Sequence, residues 1–528
     1  MSYKLSLRPK SLPFAIGLFL FSVYLLSFSG RFHVMDELAV FTAGHNLARF
    51  GRADINQLIW TNHWTPNPPG VWGTDGNLYT KKPPGISFIA APLIGLGHAI
   101  PGLNAVHLAL LTNAVVTALT ASLLFIWLAD LGHSRPTATL TSLGYGLCTI
   151  AWVYARMFWE SSLLAFVFLI AVWSVYRANY LAAPQRRWLW LLLCGTATAI
   201  GLTLRFEAAL IVVFIGLYLI VSQRTSRAVD KQRGRSKNEG SPHPRFSVSP
   251  LIHFLLIYLL PSLIIGLGLL YFNFTRYGSL GETGYSQEIL FRRPWVGAFG
   301  LLLSPGRGLF IYAPLTLLLF FGLRPAWRRL PRPYFWLVVT ICLGYWLFYG
   351  SWFAWGGTWG WGPRFLLPIL PLLMGFVAEP LGWLLGQAQG GLRTKFLWLG
   401  LGALVVLSLV INFLGVAVDF NEHFRRLDSN GNFVFNWAEF PPLAHWRILR
   451  EGLVDLIWLR PHAEGLGIDW AVLLPALILF AFSMVGLIVT YRGHKQAENE
   501  VADSPTLSGD KIRPAQASRY ALYAFAVV

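Results

Sequence analysis

Apolar residues gather in long runs along this chain, and polar residues fill the short gaps between them. A run of about 17–25 apolar residues is long enough to cross a bilayer as a helix. Twelve such runs lie near 12–29, 104–130, 137–155, 161–178, 188–204, 206–222, 251–272, 308–323, 334–350, 365–387, 396–418 and 470–491. The pattern predicts an all-α polytopic membrane protein with about twelve transmembrane helices.

Composition agrees with this prediction. Only 12% of the residues are charged, against roughly 25% in soluble domains, and an ionised side chain in hydrocarbon costs several kcal/mol. The net charge of +18 is explained by basic cytoplasmic loops, so we predict a bilayer and no nucleic acid as partner. Cys148, Cys194 and Cys342 fall inside apolar runs and are typical of core residues, not of a disulfide framework.

Loop charge decides the topology. A thirteenth run, 86–100, is short and interrupted by Pro92. If it spanned the bilayer, the later basic loops would lie outside, whereas basic loops are normally cytoplasmic. We therefore predict that 86–100 is an extracytoplasmic juxtamembrane helix of a multi-pass protein of the plasma (inner) membrane, with both termini cytoplasmic.

This topology divides the chain into six parts, and no internal repeat is evident. They are a first transmembrane module 1–222 with the external loop 30–103, a disordered basic cytoplasmic loop 223–250, a second module 251–418 with external loops 273–307 and 351–364, an extracytoplasmic segment 419–469, a last helix 470–491 and a cytoplasmic tail 492–528.

The first external loop contains the adjacent carboxylates Asp36 and Glu37. On a helix they point about 100° apart, so one of them faces a given cleft. Asp36 either caps an amphipathic helix that rests on the bilayer or takes part directly in the chemistry of the site. The same loop ends in Lys81-Lys82-Pro-Pro.

This combination resembles the GT-C superfamily of integral membrane glycosyltransferases, in the branch of protein O-mannosyltransferases and the lipid A aminoarabinose transferase. In that branch a first-loop Asp-Glu pair precedes a Lys-Pro-Pro-like element and an interfacial helix. The resemblance extends in outline over most of the chain and includes the turn with Arg156 and Glu160, and Arg205 after a Gly-containing helix. The family often has Asp in place of Glu160 and Lys in place of Arg205.

The resemblance implies an inverting transfer of a sugar from a polyprenyl-phosphate donor to a hydroxyl of a protein, lipid or glycan, on the extracytoplasmic face. The module 1–222 would then be catalytic. Asp36 is the expected general base, with Glu37 positioning the acceptor or binding metal. Lys81, Lys82 and Arg205 are expected to bind the donor phosphate. The alternatives are headgroup anchors for the lysines and an interfacial, snorkelling Arg205.

Further substrate-binding candidates follow in other turns and loops. They are Glu160, Arg276, Tyr277, Trp355, Trp359 and Arg364. The Gly-rich segment 273–285 is either a mobile lid or a plain connector. The tryptophans of 351–364 either stack on sugar rings or form an interfacial aromatic belt.

A divalent metal is conceivable because His33, His45 and His63 share the first loop with the two carboxylates. Their spacing fits no ligand pattern, so no metal ligand is assigned. The alternative function is a transporter or flippase of lipid-linked saccharides. That class requires charged residues along a pathway through the helices, whereas the charges here lie in the loops.

Overall fold

The computed structural model describes residues 11–64, 68–232, 250–285, 293–357, 359–387, 391–427, 433–462 and 465–502. In this part the chain is almost entirely helical, with two small antiparallel hairpins. The all-α polytopic fold class predicted from the sequence is therefore confirmed.

The described residues up to 232 contain ten α-helices and one hairpin. They are α1 (Ser11–Leu26), α2 (Met35–Phe50), α3 (Thr61–Trp64), β1 (Gly70–Trp72), β2 (Leu78–Thr80), α4 (Gly85–Ala99), α5 (Ala105–Asp130), α6 (Arg135–Leu147), α7 (Ala151–Tyr154), α8 (Glu160–Tyr176), α9 (Arg187–Leu204) and α10 (Ala209–Gln232).

From residue 250 onward, the part of the chain that the structure describes contains ten α-helices and the other hairpin. They are α11 (Pro250–Tyr277), α12 (Pro294–Leu303), α13 (Leu309–Tyr312), α14 (Leu319–Arg329), α15 (Arg332–Ser351), α16 (Leu370–Gly386), α17 (Leu392–Ala417), α18 (Phe420–Arg426), α19 (Pro441–Arg450), β3 (Leu459–His462), β4 (Gly465–Ile468) and α20 (Trp470–Ala502). Short 3₁₀ turns precede α10, α14 and α16.

All twelve predicted spans coincide with helical segments. In the described residues, eight helical stretches are long and apolar enough to cross a membrane. The other four are shorter or interrupted. The 137–155 run breaks between α6 and α7, and 308–323 is divided among α13, a 3₁₀ turn that starts at Pro314, and α14. The interruption at Pro314 follows from its missing N–H and fixed φ.

One apolar helix was not predicted. Helix α12 lies inside the expected external loop 273–307 and packs against the end of α15. Gly297 and Gly350 allow this contact, because a Cβ on either residue would collide with the backbone of the other helix. At ten residues, α12 is too short to read as a span from sequence.

The segment 30–103, expected to be the first external loop, contains the helices α2 and α4, which together form a platform. Helices α2 and α4 lie side by side, and the Ser87 hydroxyl donates a 2.7 Å hydrogen bond to the Val40 carbonyl. Gly44 gives the helices room, since a Cβ there would meet the backbone of Ser87 at 3.1 Å. The hairpin β1–β2 leads from this platform to Lys81 and Lys82.

Several helices extend past the predicted ends of their spans, α10 and α20 by the most. Helix α10 continues to Gln232, so the first ten residues of the expected disordered loop 223–250 are helical, and α20 continues past 491 to Ala502. Residues 233–249 and 503–528, the remainder of that loop and of the tail, lie outside the described residues.

Candidate functional site

Asp36 and Lys82 form an ion pair at the surface of the platform. The Lys82 Nζ lies 3.0 Å from the Asp36 Oδ2, and the two side chains are 20% and 36% exposed. Asp36 belongs to the first turn of α2, and Lys82 stands between β2 and α4. The ammonium also lies 5.8 Å from the centre of the Trp159 ring. The structure thus brings together the expected base and one of the two expected phosphate-binding lysines.

Three cations set the charge state of Asp36. Burial alone would raise the pKa of its carboxyl, but the Lys82 ammonium outweighs that effect, with help from Arg364 and Arg205, so the pKa lies below its ordinary value. Asp36 is therefore a carboxylate at neutral pH, which is the form that a general base requires.

Glu37 points away from this pair into the protein. Its Oε2 accepts hydrogen bonds from the backbone N–H groups of His33 at 2.6 Å and Val34 at 3.2 Å, and its Oε1 from that of Phe158 at 2.7 Å. Burial raises its pKa although these bonds oppose the shift. The structure therefore does not place Glu37 beside Asp36 as a second open carboxylate; Glu37 caps α2 and fixes the turn before α8.

Arg205 lies between two carboxylates. Its Nη1 is 2.5 Å from the Glu160 Oε1, and its Nε contacts Glu207. The Tyr349 hydroxyl also contacts Glu207. Glu160 begins α8 and Arg205 ends α9, so two transmembrane helices meet at this pair. The structure brings the two expected residues Glu160 and Arg205 together and adds Glu207, which was not among the expected site residues.

Arg364 and Lys82 both contact Trp159, which connects the first loop to the segment before α16. The Arg364 guanidinium lies 4.3 Å from the centre of the Trp159 ring and 4.9 Å from that of Phe365. Its Nη1 donates to the Trp359 carbonyl at 2.9 Å. Among the described residues its buried Nε has no hydrogen-bond partner. Such a donor is available to an anion, and Trp159 is a site residue that sequence reasoning missed.

Arg276 holds the lysine turn in place. Its Nη1 donates to the carbonyls of Thr80 at 2.9 Å and Lys82 at 3.0 Å, and its Nη2 to Asn273 at 2.7 Å. The side chain is fully buried, and the neighbouring Tyr277 hydroxyl lies 3.5 Å from the Lys81 carbonyl. Arg276 thus contacts the backbone of the lysine turn and Asn273 and positions Lys82, and its expected substrate-binding role stays a prediction.

The two tryptophans of 351–364 have different surroundings. Trp355 packs on α12, where Gly297 and Gly300 leave space for its ring, and it contacts Phe435 at a centroid distance of 5.6 Å. It is a packing residue and not an open sugar platform. Trp359 is 47% exposed, with one contact to the Phe424 ring at 5.3 Å, so part of its surface remains available for stacking.

A cavity of about 360 Å³ opens beside the charged cluster. Arg205 and Glu207 line one part of it, and Tyr285, Tyr349 and Trp352 supply aromatic walls. A cavity with a cation among aromatic rings suits an anionic head attached to an apolar tail.

Asp455, in the segment 419–469, ties that segment to the first loop. Its carboxylate contacts Arg31 at 2.8 Å, His33 at 2.7 Å and Arg156 at 2.6 Å. Arg31 also contacts Asp419 at 3.1 Å. We call these five residues the Asp455 clamp. Burial would raise the pKa of Asp455, but Arg156 first, then His33 and Arg31, hold it well below its ordinary value.

The predicted histidines have separate partners. His33 faces Asp455, and His45 on α2 faces His98 on α4 at 2.9 Å. The side chain of His63 lies outside what the structure describes. Within the described residues, no three His, Cys, Asp or Glu side chains converge as metal ligands.

Comparison with known proteins finds one family whose model matches part of the chain. A family model matches residues 81–233, a segment that contains Lys82, Trp159, Glu160 and Arg205. This match confirms the resemblance to the GT-C superfamily of integral membrane glycosyltransferases. Within that superfamily, the matching model is that of dolichyl-phosphate-mannose-protein mannosyltransferases. No curated protein matches the chain.

Solved structures are similar at low identity. ArnT from Cupriavidus metallidurans in the apo state is 16% identical with a TM-score of 0.48, over 92% of this chain and 76% of ArnT. The same protein bound to undecaprenyl phosphate is 17% identical with a TM-score of 0.47, over 93% and 78%. The oligosaccharyltransferase AglB from Archaeoglobus fulgidus, in complex with an inhibitory peptide and a dolichol-phosphate, is 13% identical with a TM-score of 0.45, over 75% and 55%.

Proposed function

We propose that this protein transfers a sugar from a polyprenyl-phosphate donor to an acceptor hydroxyl at the extracytoplasmic face of the membrane. The observation that carries the proposal is the Asp36–Lys82 pair, set among Arg205, Arg364 and Trp159 beside a cavity with aromatic walls. The match of residues 81–233 to a mannosyltransferase family supports the reaction class.

Asp36 acts as the base in this proposal. It takes the proton of the acceptor hydroxyl, whose oxygen forms a bond to the anomeric carbon of the sugar. The bond from that carbon to the phosphate oxygen breaks, and its electron pair leaves with the polyprenyl phosphate. Attack opposite the leaving phosphate inverts the anomeric centre.

Lys82 has two successive roles, first as the partner of Asp36 and then as the partner of the donor phosphate. Its ammonium pairs with Asp36 and lowers the pKa of that carboxyl. A donor phosphate that enters the site competes for the same ammonium, because a fixed cation in a partly dry site attracts anions strongly. Transfer of Lys82 to the phosphate raises the pKa of Asp36 and makes it a stronger base when the donor is bound.

Arg364 and Arg205 complete the phosphate site. Arg364 has a free Nε among the described residues, and its planar guanidinium is suited to phosphate oxygens. Arg205 is largely neutralised by Glu160 and Glu207, so its charge is fixed in place before the donor arrives. The polyprenyl tail of the bound donor extends from the phosphate site through the cavity that Arg205 and Tyr349 line.

The placement on the extracytoplasmic face rests on loop charge. Asp36, Lys82 and Arg364 lie in segments that the positive-inside pattern assigns to the outside. The basic residues Arg324, Arg328 and Arg332 lie at the other end of α15. A helix of 20 residues separates those ends by about 30 Å.

The test is sugar transfer from a panel of radiolabelled polyprenyl-phosphate sugars in proteoliposomes, with wild type beside Asp36→Asn. We expect Asp36→Asn to lower turnover by at least about 10²-fold, the usual contribution of a general base. Asp75→Asn is the matched control, since Asp75 is an exposed carboxylate of the same loop. Equal turnover in Asp36→Asn and wild type would remove Asp36 as the base. No turnover of any donor, together with movement of lipid-linked saccharide across the bilayer, would favour the flippase.

A further inference from the structure

A long apolar groove runs along the helices at the end of the molecule opposite to the charged cluster. It has a volume of about 1000 Å³ and is walled by α14, α16 and α17. Large side chains in its walls are exposed, among them Phe321 at 70%, Trp383 at 56% and Phe396 at 63%. These residues belong to helices that cross or enter the membrane, so the groove opens toward lipid.

Cations border one end of this groove. Arg329 and Arg393 are among its lining residues. Arg329 is held by Glu379 at 2.5 Å. Arg393 is exposed, and among the described residues no ion pair or hydrogen bond of its side chain is found. The lining residues Arg329 and Arg393 carry two positive charges against the one negative charge of Glu379, so the net charge of this rim is positive.

The combination points to one kind of occupant. We propose that the groove is a binding site for an anionic phospholipid, whose acyl chains lie between α14, α16 and α17 and whose phosphate pairs with Arg393. Apolar walls alone would accept any lipid. The positive rim favours an anionic headgroup, since each Lys or Arg near a membrane surface contributes about 1 kcal/mol to such binding. This site is independent of the sugar-transfer site, which lies at the other end of α15.

Two glycines on α17 provide a sharp test. Gly400 lines the groove, whereas Gly402 is not among the lining residues. A Cβ at either position would meet no atom within 4 Å, so both accept a larger side chain without collision. Gly400→Phe fills the groove, and Gly402→Phe is its matched control on the same helix.

The measurement is native mass spectrometry of the purified full chain with phosphatidylglycerol or phosphatidylcholine of identical acyl chains. We expect tighter binding of phosphatidylglycerol, a loss of that binding in Gly400→Phe, and an approximately fivefold weaker affinity in Arg393→Gln, which corresponds to about 1 kcal/mol. Gly402→Phe and Arg186→Gln, an exposed arginine in another predicted cytoplasmic loop, should bind as wild type does.

Three results would overturn the assignment. Equal affinity for the two lipids would show that the cations do not select an anionic headgroup. Unchanged phosphatidylglycerol binding in Gly400→Phe would show that the lipid binds outside this groove. A wild-type dimer that becomes monomeric in Gly400→Phe would make the groove an interface between two copies of the chain. Sugar transfer is not needed for any of these readouts, so failure here leaves the proposed function untouched.

Discussion

Arg156 and Asp455, 299 residues apart in sequence, meet in a buried contact of two hydrogen bonds. The Arg156 Nη2 lies 2.6 Å from the Asp455 Oδ2, and its Nη1 donates to the Asp455 carbonyl at 2.7 Å. The side chains are 1% and 4% exposed. Arg156 stands in the turn that places Trp159 and Glu160, so Asp455 fixes that turn from the far end of the chain.

Asp455→Asn should therefore destabilise the protein strongly. The change leaves the charge of Arg156 buried without a counter-ion, and removal of one partner from a buried pair costs about 3–5 kcal/mol. Thermal unfolding in detergent, followed by intrinsic fluorescence, measures the effect. Glu451→Gln is the control, because Glu451 pairs with Arg426 at the exposed surface. Equal melting temperatures for both variants would show that the Asp455 clamp contributes little.

Glu37→Gln separates a structural role of Glu37 from a catalytic one. Glutamine has one acceptor oxygen, whereas the carboxylate accepts three backbone hydrogen bonds on two oxygens. We expect a lower melting temperature and a loss of sugar transfer smaller than that of Asp36→Asn. Full stability with abolished transfer would instead give Glu37 a direct part in the chemistry.

The pH dependence of transfer should report the Asp36–Lys82 pair. A base must be ionised, so activity falls as pH drops through the pKa of Asp36. In Lys82→Met the ammonium that lowers this pKa is lost while the burial that raises it remains. The acid limb of kcat/KM against pH should move to higher pH. Lys81→Met should leave the limb in place, and an unmoved limb in Lys82→Met would show that Lys82 does not set this pKa.

Arg276→Gln should weaken donor use without direct contact to the donor. The variant loses the guanidinium that binds the carbonyls of Thr80 and Lys82, so Lys82 is less well positioned. We expect about tenfold lower kcat/KM, since small misplacements of a binding group are costly. Arg293→Gln, an exposed arginine of the same predicted external loop, serves as control. Equal kcat/KM in Arg276→Gln and Arg293→Gln would contradict the positioning role of Arg276.

Much of the fold could be predicted because the length of an apolar run indicates whether it forms a membrane-spanning helix. All twelve predicted runs are helical, and the platform helices α2 and α4 follow from amphipathic spacing and loop charge. Helix α12 could not be found in this way, since ten apolar residues in a loop resemble a linker. The ends of α10 and α20 were placed too early, because polar residues can continue a helix beyond the hydrocarbon layer.

The site was predictable where a charge stands in a loop near a recognisable motif. Asp36, Lys82, Glu160, Arg205 and Arg364 lie in one cluster, as the electrostatic contacts of Asp36 and Glu160 show. Trp159 was not predicted because nothing in the sequence distinguishes it from the other tryptophans of this chain, which has 23. The contacts of Arg276 with carbonyl groups and of Trp355 with α12 could not be predicted, because a sequence does not reveal whether a side chain meets backbone, another side chain or open space.

The Asp455 clamp also imposes an order on biosynthesis. Arg31 leaves the ribosome 424 residues before Asp455, its counter-ion. During that interval the first loop carries Arg31 and His33, and the turn before α8 carries Arg156, without the carboxylate that joins them. The segment that bears Asp36 therefore gains its final support only after the chain beyond α19 has been made. A nascent protein with most of its helices already inserted still lacks the contact that completes its site.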